Sequence, residues 1–228
     1  MKILGVDTST KFLCIGVFDG SDIYEYRINL GMGHDVFLIE HIRRILDALK
    51  IKIEELDYLT VGIGPGSFTG LRIGISTIKG LGLVLKKKVI GLSILDIIAY
   101  NALELEDASY ICPILDAKRT LLYTAVYKKG EYCLRQITPY SLFSIEELIK
   151  IIPAGTFFLG DGTNLYKHII LTNIKNSRVL DEEFSWPKGT NIIKLAIQRI
   201  EKNKVESIEK LKPLYLYPKD CQVFGKIK

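Results

Sequence analysis

This sequence has little with which to hold a metal ion or attack a substrate. Its 228 residues contain three histidines, and only His34 and His41 are close in sequence. On a helix they would share a face but stand about 10 Å apart along the axis at 1.5 Å rise per residue. Both rings cannot then reach one ion at ~2 Å, so metal binding there is excluded. The four cysteines, Cys14, Cys112, Cys133 and Cys221, are scattered and form no C-x-x-C. Neither a zinc site nor a redox pair follows, and buried thiols in a reduced cytoplasmic protein are expected. No serine-histidine-acid set, cysteine-histidine pair or H-E-x-x-H can be assembled, so no catalytic residues are assigned. No apolar run is expected to reach membrane length, because Arg72, Lys79 and Asp96 interrupt the best candidates. Only Ile3 to Val6 precede Asp7, too few apolar residues for a signal peptide.

Charge of either sign is modest, and its placement matters more than its sum. The net charge is +5. Residues 189–228 hold nine Lys and Arg against four Asp and Glu, and the rest balances at 22 against 22. This basic end segment is either a solvated helix with a loose end or a face for an acidic partner or RNA.

The chain is organised around Val61 to Gly74. Tyr58 to Ile63 reads as a strand, and Gly64-Pro65-Gly66 breaks it. Ser67 or Thr69 is placed to cap the helix that follows. That helix carries Gly70, Gly74, Gly80 and Gly82, each costing roughly 1 kcal/mol relative to alanine. Something is expected to press closely against it. The loop is neither of two nucleotide motifs. No Lys-Ser or Lys-Thr closes a phosphate loop, and the spacing Gly64-x-Gly66-x-x-x-Gly70 is not G-x-G-x-x-G.

Ahead of this block, Ile3 to Val6, Phe12 to Phe18 and Ile23 to Ile28 read as an antiparallel meander with a turn at Asp19-Gly20. A helix is expected from His34 to about Lys50. Its core face is Leu38, Ile39, Ile42, Ile45, Leu46 and Leu49, and Phe37, His41, Ala48 and His34 form a second strip. That strip is either a widened core face or a second contact. Val89 to Leu92 is a strand and Ile94 to Leu103 a helix. The polar run Glu104 to Asp107 marks a boundary, giving an N-terminal lobe over 1–104 and a smaller C-terminal lobe over 105–228.

The pattern then begins again. Tyr110 to Leu115 is a strand leading to Asp116-Ala117-Lys118-Arg119. Strands at Leu121 to Lys128 and Glu131 to Thr138 follow, joined at Lys129-Gly130. Ile145 to Ile152 is helical, Phe157 to Leu159 is a strand running into Gly160-Asp161-Gly162, and Thr190 to Lys202 is a helix capped by Thr190 or Asn191. A repeated half of this kind points to a duplicated α/β domain with a cleft between the copies. Asp7-Thr8-Ser9 and Asp116-Ala117-Lys118 occupy equivalent turns. Such acids either face a metal-bound phosphate across the cleft or close their own turns through backbone hydrogen bonds, with Lys118 and Arg119 placed to pair with Asp116.

Met1-Lys2-Ile3-Leu4-Gly5-Val6-Asp7-Thr8-Ser9, the block Gly64-Pro65-Gly66-Ser67-Phe68-Thr69-Gly70-Leu71-Arg72-Ile73-Gly74, Ile114-Leu115-Asp116-Ala117-Lys118-Arg119 and the ending Pro213-Leu214-Tyr215-Leu216 resemble the bacterial TsaB (YeaZ) family over nearly the whole chain. The resemblance implies the duplicated actin/Hsp70-like fold (ASKHA, ribonuclease H-like), two lobes with mixed sheets flanked by helices. It implies a non-catalytic dimerisation subunit that pairs with TsaD. With the ATPase TsaE, that pair helps place threonylcarbamoyl on N6 of the adenosine 3′ of the anticodon in tRNAs reading ANN codons. The metal and adenylate sites of that machinery lie in TsaD, where two histidines four apart help hold the metal, and this chain lacks such a pair. Tyr217 stands where an arginine is common, so no RNA role is carried to it. The expectations are no cofactor, with at most weak nucleotide binding through Asp7, Thr8, Ser9, Gly160, Asp161 and Gly162. They include homodimerisation when TsaD is absent, no membrane, and an interface of Phe37, His41, Ala48, Gly70 and Gly74 in which the glycines face outward. The alternative is a stand-alone ATP-dependent small-molecule kinase of the same fold class, which would need the turn at Gly160 to Gly162 for adenosine.

Overall fold

The computed structural model describes residues 1–31 and 34–217, with side chains from Phe37 onward in the first helix. The side chain of His34 and the basic stretch 218–228, with Cys221, lie outside the described residues.

The first half builds one five-stranded sheet. β1 (Ile3–Asp7), β2 (Phe12–Phe18) and β3 (Ile23–Asn29) form the meander. Its turn is tied by Asp19, whose Oδ1 accepts the backbone N–H groups of Ser21 and Asp22 at 2.8 Å each. α1 (His34–Ala48) leads to β4 (Tyr58–Gly64), parallel to β1, and α2 (Phe68–Leu85) leads to β5 (Lys88–Ser93), parallel to β4. The strand order is β3-β2-β1-β4-β5. α3 (Ile94–Ala99) and a 3-10 turn (Tyr100–Ala102) end this half, where one longer helix to Leu103 was expected.

The second half repeats the connections. β6 (Tyr110–Asp116), β7 (Leu121–Thr124), β8 (Tyr127–Lys129), β9 (Leu134–Gln136) and β10 (Ser141–Ser144) precede α4 (Ile145–Ile149). β11 (Thr156–Leu159), α5 (Thr163–Asn173), β12 (Arg178–Val179) and α6 (Gly189–Glu201) follow. The order β10-β7-β6-β11-β12 matches the first sheet position for position. The strand expected from Leu121 to Lys128 is broken instead. β7 pairs with β10, while β8 turns away to pair with β6 and β9. The helix that follows the second glycine turn is α5, not the one at Thr190. That later helix, α6, returns to the first half and packs on β1, β2 and β3, so 105–228 is not a lobe apart. Glu25 on β3 receives both the N–H and the hydroxyl of Thr190, at 2.9 and 2.7 Å. Thr190 and Asn191 therefore do not cap α6 with their own side chains, and Asn191 Nδ2 donates instead to Asn101 at 2.7 Å.

Helices and sheets thus stack in layers. α1 and α2 cover one face of the first sheet through Leu4, Val6, Leu38, Ile42, Leu46, Leu71 and Ile78. α3 and α6 fill the space between the two sheets with a core that both halves share, including Ile97, Ile111, Phe157, Ile193 and Ala196. α4 and α5 cover the far face of the second sheet through Ile145, Leu148 and Ile170. Each such side chain, fully buried, contributes about 1.5–3 kcal/mol by removal from water. Ile39, expected in the core face of α1, instead points outward at 56% exposure, into a groove of about 580 Å³ between α1 and Leu81. Cys14 and Cys112 are buried, and Cys133 is exposed at the β8–β9 turn. Among the described residues, α2 is long and apolar enough to cross a membrane by length and composition, despite Arg72 and Lys79. Here it lies on the sheet with Gly70, Leu71, Gly74, Ile75 and Ile78 buried.

Candidate functional site

The two acid turns stand at the carboxyl ends of the central strands β1 and β6, where ligands of open α/β sheets usually bind. The first turn is closed by its own chain. Asp7 is fully buried, and its Oδ1 accepts the backbone N–H and the hydroxyl of Ser9 at 3.2 and 3.0 Å. Its Oδ2 has no hydrogen-bond partner among the described residues. Burial, partly opposed by those Ser9 bonds, pushes the carboxyl up to about 7. Thr8 donates its hydroxyl to the Gly70 carbonyl at 2.7 Å, and the Ser67 N–H donates to the Ser9 carbonyl at 2.8 Å. Ser67 is the cap of α2, accepting the Gly70 N–H at 3.2 Å. Asp7, Thr8 and Ser9 are therefore the seat of α2, closing their own turn as in the second of the two readings above.

The glycines explain this seat. A Cβ on Gly70 would stand 1.9 Å from the Thr8 carbonyl oxygen, and one on Gly74 would stand 2.5 Å from Thr8 Oγ1. The close partner expected from the sequence exists, but it is the turn after β1. Gly70 and Gly74 are buried and face inward, which corrects their placement on an outward dimer surface.

The second turn is also tied to itself. Asp116 accepts the Lys118 N–H at 2.8 Å and meets the Lys118 ammonium at 2.5 Å. Burial raises the Asp116 carboxyl, but these bonds outweigh it and hold the group below its ordinary value. Asp161 accepts the Asp116 N–H at 2.9 Å; burial raises its carboxyl. The Gly160 N–H donates to Ser185 Oγ at 3.2 Å, and the Gly162 N–H donates to the Ile114 carbonyl at 3.1 Å. Gly160 has φ +105°, and a Cβ there would lie 2.3 Å from the Ile114 oxygen. The second glycine turn thus presses on Ile114 of β6, as Gly66 of the first presses on Ser9 just after β1.

One polar cluster escaped the sequence reading because its members are far apart in the chain. Asp96 on α3 accepts the Tyr127 hydroxyl at 2.6 Å and the Tyr140 hydroxyl at 2.9 and 2.8 Å, with Arg199 at 3.8 Å. Burial raises this carboxyl despite those partners. The cluster ties α3 of the first half to two strand ends of the second.

On the outer face, Phe37 is 41% exposed, His41 is half-buried and Ala48 is exposed. His41 lies between Tyr26, tilted against it with ring centroids 5.1 Å apart, and Phe37, which meets it edge-on at 6.2 Å. On α2, Phe68, Leu83 and Val84 are exposed. No group of three metal-ligating side chains occurs among the described residues.

Two sheets of one topology, each ending in an acid turn and a glycine turn, define a duplicated fold of the actin/Hsp70-like (ASKHA) kind. The TsaD family model, described as tRNA N6-adenosine threonylcarbamoyltransferase, matches residues 31–219. The protein is similar to the tRNA threonylcarbamoyladenosine biosynthesis protein TsaB of Bacillus subtilis, 32% identical over 174 residues and 75% of each chain. It is 25% identical to the TsaB of Escherichia coli over 95% of this chain and 94% of that one. A solved structure of YeaZ from Pseudomonas aeruginosa superposes with a TM-score of 0.82 at 23% identity, covering 94% of this chain and all of that one. The chain belongs to the TsaB (YeaZ) family.

Proposed function

We propose that this chain is the non-catalytic, dimerising subunit of the bacterial machinery that builds threonylcarbamoyladenosine in tRNA. It pairs with a TsaD homologue, works with a TsaE homologue, and self-associates when TsaD is absent. A role in tRNA modification supports a cytoplasmic location. The observation that carries this reading is the self-occupancy of both strand-end turns. Asp7, Thr8 and Ser9 are buried under α2, and Asp116 is neutralised by Lys118. These contacts support weak or absent nucleotide binding, and the family name supports a role alongside a partner that does the chemistry. Nothing favours the small-molecule kinase.

The pairing surface is the outer side of α1 and α2. Phe37, His41 and Ala48 stay on it, and Phe68, Leu83 and Val84 replace the inward-facing glycines. The test is reconstitution. The chain alone should neither bind ATP in calorimetry nor modify tRNA, and adding TsaD and TsaE homologues with the threonylcarbamoyl donor should restore modification. Micromolar ATP binding with phosphoryl transfer by the isolated chain would reverse the assignment.

A further inference from the structure

We propose that residues 211–217 are a strap that locks the two halves together at the strand-end turns, with Tyr217 as its latch. The strap begins in the first half. Leu211 is fully buried among the side chains between α2 and the first sheet. The Leu214 N–H donates to the Ile63 carbonyl at 2.7 Å, at the end of β4 where the pairing with β5 slips register. The Leu214 carbonyl lies 3.2 Å from the position of a Cβ on Gly64, so the strap backbone covers the first glycine turn. The Tyr215 ring sits on Phe68 with centroids 5.7 Å apart.

The strap then crosses to the second half. The Tyr217 hydroxyl donates to the Ala117 carbonyl at 2.6 Å. Its ring stands perpendicular to Tyr123 of β7, with centroids 5.9 Å apart. Ala117 opens the acid turn, whose next residues Lys118, Arg119 and Thr120 have φ of 65°, 52° and 62°. Three successive residues in the left-handed region are sparsely populated and persist only when neighbours hold them. Tyr217 is such a neighbour, and it reaches the turn from a segment fixed to β4. The exit of β4 and the turn after β6 are thus joined directly, in addition to the shared core.

The strap is built to release before the core does. It has no helix or strand, and beyond the buried Leu211 its residues are half-buried or exposed, Tyr215 at 51%. Segments with few buried contacts and exposed backbone open locally at low free energy. Unlatching frees the second turn while leaving both sheets intact.

Amide hydrogen exchange on the full chain tests this. Tyr217→Phe removes the hydroxyl and keeps the ring, and Tyr217→Ala removes both. Exchange at residues 116–121 should rise roughly five-fold in the first, the scale of one net hydrogen bond, and further in the second. Leu214→Pro removes the donor to Ile63 and should also raise exchange at 116–121, although its own contact is with β4. β2 and β3 should be unchanged in all three. Unchanged exchange at 116–121 in the Tyr217 variants overturns the latch. A Leu214→Pro effect confined to β4 overturns the strap, because its ends would be independent. A uniform rise through the chain overturns both, because the segment would then be ordinary core.

Discussion

Gly70 lies so close to Thr8 that an added Cβ would stand 1.9 Å from the Thr8 carbonyl oxygen. The obstacle is backbone, which cannot rotate away, and Thr8 is itself bonded to Gly70 through its hydroxyl. Gly70→Ala and Gly74→Leu should each destabilise the fold by about 1–3 kcal/mol or more, outweighing the roughly 1 kcal/mol gained in helix propensity. Among the described residues, nothing lies within 4 Å of the Cβ position of Gly80. Gly80→Ala should stabilise by about 0.4–1 kcal/mol. Urea denaturation of the three variants checks the opposite signs.

Asp7 sets a second expectation. Its folded-state carboxyl is raised from 3.8 to about 7, chiefly by burial. Below the unfolded value both states are protonated, and the group contributes no penalty. As pH rises from about 4 to about 7 the unfolded chain ionises first, so the folded state binds more protons and stability falls. Three units correspond to on the order of 4 kcal/mol. Asp7→Asn removes this titration. The difference in stability between variant and wild type should therefore move in the variant's favour as pH rises from 4 to 8. Equal pH slopes for the two proteins would refute a raised Asp7.

The Asp96 cluster joins the halves by hydrogen bonds to a buried acid. Tyr127→Phe and Tyr140→Phe should each cost about 1–3 kcal/mol, because an acceptor is left under-satisfied. Both hydroxyls share one carboxylate, so the double variant should cost more than the sum of the single ones. Additive costs in a double-mutant cycle would show that the tyrosines act separately.

Much of this architecture was legible locally. The strand-turn-helix at Tyr58 to Leu85, the meander and the repetition all followed from short-range pattern. What failed depended on the third dimension. Gly70 and Gly74 announced a close contact, but a four-residue spacing names a helix face without saying which side the sheet is on. Ile39 satisfies the helical period of a core face and still points outward, because α2 leaves a groove beside it. The role of Thr190 was hidden because its partner, Glu25, is 165 residues away. The same distance effect hid the Asp96 cluster and the contact of Tyr217 with Ala117, neither of which has a sequence spacing to read.

The outer face of α2 carries the last prediction. Leu83 and Val84 are 61% and 81% exposed at the end of a helix whose inner face is already packed. Gly80, one turn earlier, leaves open space above the backbone. A partner helix could approach there and cover the two side chains, while Phe37, His41 and Ala48 lie on the side of α1 that faces Tyr26 of β3. Leu83→Glu places a charge on this surface without touching the core, so the monomer's stability should change by less than about 0.5 kcal/mol. Pairing with a TsaD homologue should weaken at least ten-fold, the scale of desolvating one unpaired charge in an apolar contact. Phe37→Glu should act in the same direction from α1. Gly74→Leu should instead lower the melting temperature of the chain alone, which separates an interface residue from a seat residue on the same helix. Calorimetric titration with the partner, alongside thermal melts of each variant alone, reads both quantities. Wild-type affinity in both charged variants would move the pairing surface away from α1 and α2.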